Sequence, residues 1–81
     1  VPAEQPPDWL LQQRRDIGRR IRQAREQRGL SQEQLAHTAG ISRQTMYRAE
    51  LGTHSTGIDA LLKIARVLGV SVAELMPNGE A

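Results

Sequence analysis

With 81 residues, 11 of them Lys or Arg and 9 Asp or Glu, the chain carries a net charge of +2 and suffices for one small domain. It has no cysteine, which excludes a disulfide framework and a thiolate zinc site and fits a reducing compartment, and no Phe, so a core must come from Leu, Ile, Val, Ala and Met. No apolar run approaches the roughly 18 residues that a membrane helix requires, and no signal-peptide pattern opens the chain. The first residue is Val1 rather than Met, as in a trimmed chain or a fragment of something longer.

The elements follow in order. Residues 1–7 (VPAEQPP) are proline-rich and polar and predict a disordered or polyproline-like lead-in. Asp8 is placed to cap a helix that runs over residues 9–28, where only Gly18 weakens the pattern. Leu10, Ile17, Ile21 and Ala24 share a stripe on it, so the element is a single helix of about twenty residues and roughly 30 Å. Its first half, with Trp9, Leu10 and Leu11, overhangs the domain. That cluster admits three readings: a lid folded over the core, a contact for a partner or second copy, or disorder.

Gly29 ends this helix. Ser31 with Gln34 three residues on has capping-box spacing, which starts a second helix at Gln32 and sets Leu35, Ala36 and Ala39 on one face. Gly40 stops it, Ile41 fills the corner, and Ser42 caps a third helix with Met46 and Ala49 facing inward and Gly52 as its stop. Two short helices joined by a tight turn, with small residues where they cross, form a helix-turn-helix over residues 31–52. A fourth helix is predicted from a Thr56-x-x-Asp59 cap, burying Ile58, Leu61, Leu62, Ala65 and Leu68 up to Gly69. A final short helix follows from the Ser71-x-x-Glu74 box, with Val72, Leu75 and Met76 facing inward. Residues 77–81 read as a disordered tail, leaving one domain over residues 8–76. No strand-like alternation and no repeat occur, so the fold class is all-α.

The segment LSQEQLAHTAGISRQTMYRAELG (residues 30–52) resembles the helix-turn-helix of the Cro/phage-repressor, or XRE, family. The residues that carry the likeness are Leu30-Ser31-Gln32, Leu35-Ala36, Ala39-Gly40, Ile41-Ser42 and Glu50 two before Gly52. It extends through residues 17–28 upstream and 58–75 downstream. The resemblance implies a lambda-repressor-like bundle of five helices, here with an extended first helix, that binds double-stranded DNA as a transcriptional regulator.

In a helix-turn-helix the second helix enters the major groove, and its N-terminal residues reach base edges. That helix is residues 42–51, and the candidates are Arg43, Gln44, Thr45, Tyr47 and Arg48. Gln44 carries the amide that pairs with adenine, Arg43 and Arg48 the fork that pairs with guanine, and Thr45 a methyl for thymine. The resemblance points first to Arg43, Gln44 and Arg48. Phosphates belong at helix N-termini, which selects Gln32 and Ser42, with Thr53, His54, Ser55 and Thr56 as a second clamp. Family members often carry Lys or Arg in that loop, and this chain does not. Between residues 14 and 48, however, nine arginines face only three acids, Asp16, Glu26 and Glu33. Such an excess is either a solvated face or a surface for phosphates.

By resemblance, Arg25 and Glu50 form an ion pair that holds the recognition helix. Independently, Glu50 stands at a helix C-terminus, where the dipole calls for a neighbouring cation. The resemblance further implies a twofold dimer joined near Gly57, Ile58, Val72 and Leu75, with Trp9 and Leu11 as the alternative surface. The location implied is cytoplasmic, at a prokaryote-type nucleoid.

Two histidines, His37 and His54, no cysteine, no glycine-rich phosphate loop and no paired carboxylates predict neither an enzyme nor a metal or cofactor site. The rival readings are a protein-interaction module reusing the fold, an antitoxin, or a restriction-control regulator. A partner or a further C-terminal domain is compatible with each.

Overall fold

Five helices and no strand make up residues 5–77, the part of the chain that the computed structural model describes. They are α1 (Asp8–Gln27), α2 (Gln32–Ala39), α3 (Arg43–Leu51), α4 (Ile58–Leu68) and α5 (Val72–Leu75). The disorder expected for the lead-in and tail concerns residues 1–4 and 78–81 in large part, and these lie outside the described residues.

Local chemistry accounts for most boundaries. Ser31 Oγ accepts from the Gln34 N–H at 3.0 Å while Gln34 Oε1 accepts from the Ser31 N–H at 2.8 Å, a complete capping box at the head of α2. Ser71 and Glu74 repeat it at α5. The turn between α2 and α3 depends on Gly40, which sits at φ 72°, ψ 35°, a left-handed conformation that a side chain disfavours. Ser31→Ala is expected to lower unfolding free energy by about 1 kcal/mol, read as a lower urea midpoint at unchanged slope.

Two predicted caps are corrected. α1 begins one residue earlier than an Asp8 cap allows: Pro7, already extended at φ −63°, ψ 153°, is the N-cap, and its carbonyl accepts from Leu10 and Leu11. Asp8 is instead the first helical residue, where its charge meets the positive end of the dipole. At α4 the N-cap is Gly57, without any side-chain hydrogen bond, so Thr56 stands one residue too early to cap. Asp59 lies in the first turn and contributes through the dipole alone.

The core is aliphatic: Ile21 from α1, Leu35 and Ala36 from α2, Met46 and Ala49 from α3, Leu61, Ile64, Ala65 and Leu68 from α4, and Leu75 from α5. Ile17, Ala24, Leu30, Ile41, Val72 and Met76 pack half-buried around it. The buried stripe of α4 differs from the predicted one. Ile64 is wholly enclosed, whereas Ile58 and Leu62 are 59 % and 52 % exposed. The arc that meets α1, α2 and α5 is centred on positions 61, 64, 65 and 68, and residues 58 and 62 fall together on its flank. Trp9 is also corrected as a lid: it is 63 % exposed on the first turn of α1, because the helix continues straight through it and carries the ring away from the core.

The closest packing is between α1 and α3. Gly18, buried in α1, lies against the backbone at the end of α3, and Gly52, just past α3, lies against the backbone of Arg14 and Arg15. These two glycines let α1 press directly on the C-terminal end of α3.

Candidate nucleic-acid interface

α3 is held from behind and open in front. Met46 and Ala49 are buried in the core, while Arg43, Gln44, Tyr47 and Arg48 are exposed on the opposite side. The spacing that buries one set at i, i+3 leaves the other on the far face of a nine-residue helix. Thr45 is half-buried. Its N–H donates to Ser42 Oγ at 3.0 Å, and its own hydroxyl accepts from Ser42 Oγ at 2.8 Å. The Ser42 hydroxyl therefore already donates its hydrogen within the cap, which leaves the backbone of this turn, rather than that hydroxyl, the freer donor.

The end of α3 is anchored through Glu50. Arg25 Nε donates to Glu50 Oε2 at 2.7 Å and Arg25 Nη2 to Glu50 Oε1 at 3.0 Å, a two-pronged pair. Arg25 Nη1 donates to the Leu30 carbonyl at 2.8 Å, tying the same guanidinium to the α1–α2 connection. The side chains are only 12 % and 4 % exposed. The hydrogen bonds that Arg25 donates to Glu50 raise its pKa above the ordinary value, outweighing the partial burial that opposes the charge.

Gln32, expected as a phosphate ligand, belongs to this network. Its Nε2 donates to Glu50 Oε1 at 3.0 Å, so one carboxylate collects donors from the end of α1 and the start of α2. The second hydrogen on that nitrogen remains for another acceptor. Thr53, His54 and Ser55 are exposed and Thr56 is half-buried in the segment leading to α4, with Thr53 Oγ1 and His54 Nδ1 2.9 Å apart. Arg14 and Arg15 of α1 border this segment at Gly52, a proximity that no local sequence pattern announces.

In the sequence Glu33 stands out only as one of three acids among nine arginines. In the structure its Oε2 lies 3.3 Å from Nη1 of Arg43, across the two helices of the motif. Leu75, placed at a dimer surface by resemblance, is in the core and 2 % exposed, whereas Ile58 is open. No group of three or more His, Cys, Asp or Glu gathers among the described residues, and none of their helices is long and apolar enough to cross a membrane.

A two-helix motif carried on three supporting helices, with a polar outer side on its second helix, defines a helix-turn-helix domain. The chain belongs to the helix-turn-helix family HTH_3, whose model matches residues 21–75. It is 36 % identical over 61 residues to the cryptic phage CTXphi transcriptional repressor RstR of Vibrio cholerae, covering 75 % of this chain and 55 % of that protein. The chain thus spans about half the length of that relative, and 41 % of an uncharacterized HTH-type regulator of Sinorhizobium medicae. Among solved structures, the restriction-modification controller protein C.AhdI of Aeromonas hydrophila superposes with a TM-score of 0.73 at 34 % identity, over 76 % of this chain and 94 % of that one. SinR in complex with DNA superposes with a TM-score of 0.66 at 39 % identity, over 73 % of this chain and 95 % of that one.

Proposed function

We propose that this domain binds double-stranded DNA sequence-specifically as the reading head of a transcriptional regulator, with α3 in the major groove. The observation that carries the reading is the outer side of α3: Arg43, Gln44, Tyr47 and Arg48 stand exposed on a helix fixed at both ends, by the Ser42 cap and by the Arg25–Glu50 pair. Gln44 addresses adenine, and Arg43 and Arg48 address guanine. Gln32, the backbone at Ser42 and the segment from Thr53 to Thr56 take the phosphates. Family membership and the SinR–DNA complex support the assignment.

The domain acts as a twofold dimer, with half-sites about 34 Å apart, one turn of the duplex. Ile58 and Leu62, one turn apart and both exposed on α4, are the apolar surface that supports this pairing. The reading involves no catalytic step and no cofactor, and it places the protein at the nucleoid in the cytoplasm.

Selection of bound duplexes from random sequence tests the proposal. An enriched site with two related halves is expected. Gln44→Ala should relax the preference at one base position by about 1–3 kcal/mol. Gln32→Ala should weaken all duplexes alike. Affinity should fall steeply between roughly 50 and 200 mM salt as counterions are released. Enrichment of no sequence, or affinity indifferent to salt, overturns it in favour of a protein-interaction module.

A further inference from the structure

Glu33 brings a negative charge into the surface just assigned to DNA. It stands in the first turn of α2 beside Gln32, and its carboxylate reaches the Arg43 guanidinium, with the two side chains 65 % and 79 % exposed. Both residues line one shallow cleft with Gln32, Gln44 and Tyr47. A cation in the first turn of a helix meets the positive end of the dipole, and α3 has no acid of its own in that turn. Glu33 supplies the missing counter-charge from the neighbouring helix.

The closest approach runs from Nη1 of Arg43 to Oε2 of Glu33, at 3.3 Å. A guanidinium has five N–H donors in a planar fork, so its Nε–Nη2 edge can meet the two acceptors of a guanine while Nη1 stays beside the carboxylate. Resting on the DNA reading above, we propose that Glu33 is a positioning residue for specificity, which buttresses Arg43 for guanine and repels phosphate from the same spot. In the specific complex the pair is kept, and exclusion of water strengthens it. In a non-specific complex, where Arg43 would turn to the backbone, the guanidinium must leave Glu33 and the carboxylate faces a phosphate. The same charge therefore favours one mode and opposes the other. In water an exposed pair of this kind is worth no more than about a fivefold factor, so it restrains Arg43 without locking it.

The test compares the wild-type chain, Glu33→Gln, Arg43→Ala and the double variant by selection from random duplexes and by titration with an unrelated duplex. Glu33→Gln is expected to reduce the guanine preference at one position by about three- to tenfold, within the range a single bidentate contact commands, and to bind the unrelated duplex more tightly. Arg43→Ala should abolish that preference, and adding Glu33→Gln to it should change the preference no further. Circular dichroism should give the same helicity for all four proteins. If Glu33→Gln keeps the wild-type preference, or alters it equally when Arg43 is absent, Glu33 does not act through Arg43 and the proposal fails while DNA reading stands. A wild-type chain that enriches no sequence overturns both.

Discussion

Replacing Gly18 by alanine is expected to destabilise the domain by about 3 kcal/mol or more, although the same change in an exposed helix would stabilise it by about 1 kcal/mol. A Cβ at Gly18 would stand 2.2 Å from the Glu50 carbonyl oxygen and 2.7 Å from that of Ala49. Those are backbone atoms, which no rotamer change can move aside. α1 and α3 must separate, and the core between Ile21, Met46 and Ala49 opens with them. Because α3 carries the proposed base-reading residues, DNA affinity should fall in step with stability. Gly57→Ala is the control: nothing lies within 4 Å of its Cβ position, and its φ of −62° suits any residue, so its effect should stay within about 1 kcal/mol. Urea unfolding of the two variants decides the matter. A Gly18→Ala protein as stable as the parent would mean that α1 does not press on α3 in this way.

Arg25→Ala should cost about 3 kcal/mol, a large share of what holds a domain of this size together. It leaves the Glu50 carboxylate, 4 % exposed, with Gln32 as its remaining side-chain donor. It also frees the Leu30 carbonyl, so the α1–α2 connection loosens together with the end of α3. Arg25→Lys should recover only part of the loss, since an ammonium cannot span both carboxylate oxygens and the carbonyl in one plane. The Arg25 pKa is raised in the folded state. Its contribution is accordingly whole below the ordinary arginine value and is lost only as pH rises through the folded one, so the Arg25→Ala deficit should be constant across the neutral range. Arg22, paired with Glu26 where both side chains are more than half exposed, offers the contrast: Arg22→Ala should change stability by no more than about 0.5 kcal/mol. Thermal melting checks the stability order. Binding measured where Arg25→Ala is still folded should be weaker on every duplex, because the pair holds the reading helix rather than any base.

What a single turn of chain can express was legible from residue order alone. The Ser31–Gln34 and Ser71–Glu74 boxes, the Ser42 cap and the stops at Gly40 and Gly69 are satisfied by atoms three or four residues apart, so no tertiary partner is needed to predict them. The outward side of α3 follows from the same short period. The stripe on α4 was harder, since Ile58, Leu61, Leu62 and Ile64 are all apolar and only the position of the neighbouring helices decides which of them is enclosed. Gly18 reads in the sequence as a flaw in a helix, and in the fold it is the point of contact. Gln32 and Glu33, adjacent in the chain, go to different partners, Glu50 and Arg43 respectively. Residue order by itself determined the five helices, the ends that a side-chain cap or a glycine stop fixes, and the face that α3 presents, because hydrogen bonds within one turn set them. Only the tertiary structure decided how closely α1 approaches α3 and which charges meet, because those depend on helix crossings between residues far apart in sequence.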